Sequence, residues 1–112
     1  MLDADNKVFG ALTMARKAGK LILGFDAVCD SLKAETAKLV IITADVSKKT
    51  EKEVRFFCGR YNTDIISVPF MMEDIYNAVG KKCGALSVVD SGLAGLITAK
   101  LNECRTPMED NN

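Results

Sequence analysis

Four cysteines, Cys29, Cys58, Cys83 and Cys104, and no histidine bound the chemistry open to this chain. Consecutive cysteines stand 29, 25 and 21 residues apart. No CxxC pair exists, and no histidine can complete a mixed zinc site, so no structural metal is expected. Without histidine, neither Ser-His-Asp nor Cys-His nucleophilic catalysis is open to it. The glycine-rich dinucleotide and P-loop patterns are both missing. Gly92 and Gly95 follow a strand-like run at the wrong spacing and read as a closely packed helix start. Glu73 and Asp74 are adjacent, so a helix would send them to different sides; a solvated face fits better than an acid/base pair. Cys83 is the one thiol with an activating neighbourhood in the sequence, because Lys81 and Lys82 precede it and cations favour the thiolate. The plainer reading is a passive loop cysteine. No catalytic residue, cofactor or small-molecule substrate is expected, and the chain reads as a binding protein, not an enzyme.

What remains are basic residues near two glycine-containing loops. Arg16, Lys17 and Lys20 crowd the end of the first helical stretch, and Lys81 and Lys82 stand in a late loop. Taken singly they are ordinary solvated charge. The chain has 15 basic and 15 acidic residues, which argues against nucleic-acid binding by bulk charge. It leaves open a local patch that reads RNA by shape.

The elements that must position these residues follow from hydrophobic periodicity in a chain of 112 residues, the length of one domain. Val8, Ala11, Leu12, Ala15 and Ala18 form a helical stripe over residues 5–18, with Asp3 or Asp5 as its cap and Gly19 as its stop. Leu21-Ile22-Leu23 reads as a brief strand closed by Gly24, and residues 26–35 as a second helix. Leu39-Val40-Ile41-Ile42 has the continuous apolar character of a strand buried on both faces. Asp45-Val46-Ser47 reads as a turn and cap, with Thr50 and Glu53 as an alternative capping box, before a helix over 48–61. A strand over 65–68, a helix over 72–79, a strand over 85–89 and a last helix from Ser91 as cap to about Cys104 complete the order. Thr106 to Asn112 is expected to be a flexible polar tail after a single domain spanning 1–105. Alternating helices and strands imply a sheet between helical layers. The N-terminus is acidic and polar rather than signal-like, and no apolar run reaches the roughly 18 residues of a membrane span. The cysteines are expected as reduced, buried thiols in a cytoplasmic protein.

Four segments together resemble a known family. Ala15-Arg16-Lys17-Ala18-Gly19-Lys20-Leu21-Ile22-Leu23-Gly24 is similar to the opening of bacterial members of the large-subunit ribosomal protein seven-Ae family, which shares a superfamily with ribosomal proteins thirty-e and twelve-e and the Gadd-forty-five proteins. Residues 37–47, 78–84 and 87–92 resemble its central strand and turn, its late helix end and loop, and its last strand and helix start. The match runs in order from about residue 5 to 102.

The resemblance implies an α/β fold, a single-domain three-layer α/β/α sandwich around a mixed central sheet of about four strands. It also implies a ribosomal-protein-like function, binding a kink-turn or similar bent, structured RNA, with the ribosome as a possible partner and no membrane. In that family the second helix offers its N-terminus to the kink, and the later loop packs on a splayed base. Helix N-terminal amides suit phosphate, and splayed RNA exposes base faces that a regular groove hides. The family's second helix opens on glycine, a variable residue and Asn-Glu, with a lysine three further on. Gly24 keeps the glycine and Phe25 is the variable position. Asp26 stands at the asparagine, Ala27 at the glutamate and Asp30 at the lysine. Asp26 can cap a helix but cannot donate hydrogen bonds as asparagine does, and Asp30 puts negative charge where the family has positive.

The RNA-binding residues implied are Lys20, Gly24, Phe25 and Asp26 on one edge and Lys81, Lys82, Cys83 and Gly84 on the other. An alternative from another class is a protein–protein interaction adaptor of the same fold with weakened RNA binding. A receiver-like fold would want an acidic pair near the first strand, which is not there.

Overall fold

In the computed structural model, residues 3–104 are described. They run α1 (Asp3–Lys17), β1 (Leu21–Leu23), α2 (Phe25–Lys33), β2 (Leu39–Ile42), α3 (Lys48–Arg60), β3 (Ile65–Ser67), α4 (Met72–Val79), β4 (Ala85–Val88) and α5 (Ser91–Cys104). The four strands form one mixed sheet in the order β1-β4-β2-β3. β4 pairs antiparallel with both β1 and β2, and β2 pairs parallel with β3 across the α3 crossover. The three-layer sandwich expected from the resemblance is the observed fold. The expected tail, 106–112, lies outside the described residues.

The period of two along the strands divides the core. Leu39 and Ile41 of β2, with Leu86 and Val88 of β4, face one helical layer and pack with Val8, Leu12, Ile75 and Ile97 of α1, α4 and α5. Val40 and Ile42, with Ala85, face the other, against Val28 and Leu32 of α2 and Val54 and Cys58 of α3. All four residues of β2 and of β4 are buried, as the continuous apolar run required. Ser87 is the polar exception in β4, and its hydroxyl lies 3.0 Å from that of buried Ser31 on α2.

Several ends differ from the periodicity. Helix α1 closes as expected at Gly19, whose φ of 73° is left-handed; Lys20 N–H reaches back to the Ala15 carbonyl at 2.9 Å, satisfying a terminal acceptor. Helix α2 starts one residue early and stops at Lys33, since Glu35 turns to φ 60° and cannot continue it. Ser47, not the Thr50/Glu53 box, caps α3, accepting from Thr50 N–H at 3.1 Å. Asp90 takes the role expected of Ser91 and accepts from Leu93 N–H at 2.9 Å. β3 is an edge strand, with Ile65 and Ile66 half-buried and Ser67 exposed.

Cys29, Cys58 and Cys83 are free, buried thiols; the side chain of Cys104 lies outside the described residues. Burial between α2 and α3 pushes the Cys58 thiol up to about 11, with Arg55 opposing and Cys29 adding. A thiol more acidic unfolded than folded costs no stability below its ordinary pKa near 9. Its stabilisation is then lost as pH rises towards 11. Wild type should therefore lose about 1.4 kcal/mol more than Cys58→Ala between pH 8 and pH 10, from a two-unit shift taken halfway. Urea unfolding of both proteins at the two pH values measures this; parallel losses would show that Cys58 does not titrate across unfolding.

Candidate functional site

Strand β1 has three residues, and what ends it also starts α2. Gly24 has φ 100° and ψ 153°, a backbone region that L-residues with a Cβ rarely enter. In that conformation its N–H extends the sheet, donating to the Ala85 carbonyl at 2.9 Å, while its own carbonyl accepts from Val28 N–H at 2.9 Å as the first bond of α2. No side chain caps this helix. Asp26, expected to be the cap, sits inside the first turn and is exposed, with Asp30 exposed one turn further on. Glycine already occupies the cap position, and Asp26 is two residues too late to reach the first amides. Its charge still favours the positive end of the helix dipole.

The second edge comes from the loop between α4 and β4. Gly80 ends α4 in a left-handed turn, φ 87°, and bonds back to the Tyr76 carbonyl at 2.8 Å. Lys81 and Lys82 then project outward, both exposed. Lys81 crosses over to the first edge: its Nζ lies 3.6 Å from where a Cβ on Gly24 would stand. Lys82 Nζ pairs with Glu73 Oε1 at 3.8 Å, and both side chains are about two-thirds exposed (63% and 66%), so the pair contributes little to stability. Gly84 accepts from Thr43 N–H at 3.0 Å. A Cβ at Gly84 would meet Val46 Cγ2 at 3.0 Å, so only glycine lets this loop sit so close to the turn before α3.

Cys83 faces inward and is buried. Burial pushes its thiol pKa up; a backbone hydrogen bond from Gly24, then Lys81 and then Arg16, oppose this without reversing it. The activating arrangement of two flanking lysines is therefore not realised. Lys82 points away to Glu73, and the thiol stays neutral at physiological pH.

Gly24, Phe25, Lys81, Lys82, Cys83 and Gly84 line one open groove of about 310 Å³. Six of the eight expected residues are thus brought together by the antiparallel pairing of β1 with β4. Asp26 stands just inside α2, beyond the groove lining. Lys20 does not join them: it stands at the opposite end of β1, where its carbonyl accepts from Val89 N–H at 2.9 Å, about 13 Å along the strand from Gly24. The residues that sequence reasoning missed are Ala85 and a wall made of Val46, Ser47, Thr50 and Met72. Asp45 holds that wall together, accepting from the Met72 N–H at 2.9 Å and pairing with the Thr43 hydroxyl at 3.0 Å. The turn and cap at 45–47 were visible in the sequence; that they close on this groove follows from β4 lying between β1 and β2. Among the described residues, no three His, Cys, Asp or Glu side chains converge to hold a metal ion.

The profile of the Ribosomal protein L7Ae/L30e/S12e/Gadd45 family matches residues 6–97. The chain belongs to that family. Its members are ribosomal and RNA-binding proteins rather than enzymes. The chain is 30% identical over 88 residues to the RNA-binding protein YlxQ of Enterococcus faecium, covering 79% of this chain and 84% of that protein. It is 29% identical over 99 residues to the RNA-binding protein YlxQ of Bacillus subtilis, covering 84% and 94%. It is also 29% identical over 90 residues to the large ribosomal subunit protein eL30 of Candida glabrata, covering 79% and 86%. Among solved structures, a protein of unknown function from Bacillus halodurans C matches with a TM-score of 0.79 at 25% identity, over 86% of this chain and 97% of that one. No helix among the described residues is long and apolar enough to cross a membrane.

Proposed function

We propose that this L7Ae-family chain binds structured RNA, a kink-turn or similarly bent element, through the groove between the start of α2 and the Lys81–Gly84 loop. The observation that carries this reading is Lys81 reaching across to Gly24. It sets a cation beside the uncapped amides of α2, where a bent RNA backbone would find both charge and donors. The relatives named as RNA-binding or ribosomal support the same reading. The expected compartment is the cytoplasm, with the ribosome as a possible site of action.

Titration of labelled kink-turn RNA against a straight duplex of matched length tests the proposal. Binding at least tenfold tighter to the bent RNA is expected; equal affinity overturns it. A second reading, an adaptor for a protein partner, draws on exposed Asp26 and Asp30, which repel phosphate. Asp30→Lys separates the two. On the RNA reading it tightens kink-turn binding by about tenfold at low salt, as the reversal of one charge near phosphate predicts. If it tightens kink-turn and straight duplex equally, Asp30 does not face a kink.

A further inference from the structure

Helix α3 is the most basic element of a chain whose net charge is zero. Between Lys48 and Arg60 it carries Lys48, Lys49, Lys52, Arg55 and Arg60 against Glu51 and Glu53. Arg55 and Glu51 pair with each other at 2.9 Å, so the excess lies with the lysines and Arg60. The same helix carries the most exposed large apolar side chain described, Phe56, at 61%. Its ring meets Phe57 edge-on at 5.5 Å between centroids, and Phe57 is itself held by Lys33, whose ammonium stands 5.7 Å from its centroid. Phe56 thus has one aromatic neighbour and leaves most of its ring to solvent. Lys52 and Arg60 stand one turn either side of it. Gly59, in the turn that follows, has open space where a Cβ would be. Lys49, Lys52, Glu53 and the two phenylalanines line an open groove of about 640 Å³, roughly twice that of the groove assigned above.

We propose that this outer face of α3 binds an unpaired stretch of RNA continuing from the first groove, with a base stacked on Phe56 and its phosphates on Lys49 and Lys52. The proposal rests on the RNA reading of that groove. Proximity supports it: Ser47 and Thr50 of the first wall are the start of α3, and Phe56 lies about 9 Å along the axis and about 120° around it from Thr50, a span of a few nucleotides. The chemistry selects RNA over a protein partner. A docked protein would want a broad apolar patch, whereas one well-exposed ring, Phe56, with Lys49 and Lys52 outnumbering Glu53 beside it, suits a base and its backbone, which stack and pair with little sequence preference.

The test compares bent RNA with and without a six-nucleotide single-stranded extension, on either strand, containing 2-aminopurine. One of the two extensions should tighten wild-type binding by about tenfold, the usual worth of a stacked base, and quench the probe. Phe56→Ala should lose both effects and Phe56→Tyr retain them, while binding of the unextended RNA stays the same in all three proteins. Lys49→Ala with Lys52→Ala should lower the salt slope for the extended RNA alone. An extension that adds nothing, or a gain that survives Phe56→Ala, overturns the inference while the groove reading stands. If wild type fails on the bent RNA itself, the groove reading fails. A single strand alone then decides the α3 face: binding lost in Phe56→Ala supports it, and no binding, as for a protein-docking surface, overturns it.

Discussion

Leu86→Ala is expected to lower the unfolding free energy by about 2–5 kcal/mol, the range for a leucine removed from a core that cannot collapse around the void. Leu86 is fully buried in the middle of β4 and lies opposite Leu23 on one side and Ile41 on the other. Its side chain faces the layer of α1, α4 and α5 inside a continuous buried cluster, so neighbouring groups have little freedom to close the gap. Total stability in a domain of this size is about 5–15 kcal/mol, so the loss is a large fraction of it. The thermal midpoint should fall by about 8–20 °C. Ile66→Val on half-buried β3 is the matched control and should cost under about 1 kcal/mol. Urea unfolding of both variants checks the ranking. A Leu86→Ala loss below that of Ile66→Val would mean that β4 is not the centre of the sheet.

The same contrast explains what the sequence could and could not reveal. Leu39–Ile42 was legible because a strand buried on both faces needs four apolar residues in a row, and that pattern survives without any neighbour. Leu21–Leu23 and the stop at Gly19 were legible for the same local reason. β3 was not distinguished as an edge: Ile65 and Ile66 look like core residues, and only the strand order leaves them half covered. Helix caps failed where two residues competed. Asp26 and Ser91 are both good capping types, but Gly24 and Asp90 stood at the cap positions first.

The site divides along the same line. Gly24 and the Lys81–Gly84 loop were paired through the resemblance, and the β1–β4 ladder brings them together. Lys20 is near Gly24 in sequence but a strand length away in space. Val46, Ser47 and Thr50 are far in sequence yet line the same groove as Gly84, with Val46 directly against it. Distances of that kind are set by which strand lies next to which, and no local pattern encodes it.

Removing Lys81 and Lys82 together is expected to weaken binding to bent RNA by about 10–30-fold at 0.15 M salt and to lower the salt slope by up to about two, the effect of two fewer counterions released. The two lysines should not contribute equally. Lys81 lies over Gly24, beside the first turn of α2, so its charge adds to the helix field where a phosphate would sit. Lys82 shares its charge with Glu73 at 3.8 Å, and that pair must open or be screened before it meets RNA. Lys81→Ala should therefore account for most of the loss and Lys82→Ala for less. Glu73→Gln should tighten binding slightly by releasing Lys82, and Lys82→Ala should abolish that gain. All of these are surface changes, each expected to leave stability within about 0.5 kcal/mol, so altered binding would not reflect a damaged fold. Titrations at 0.05, 0.1 and 0.2 M salt give each slope. Equal effects of the two lysines, or a Glu73→Gln gain that persists without Lys82, would show that RNA approaches the loop from a side other than the Gly24 groove.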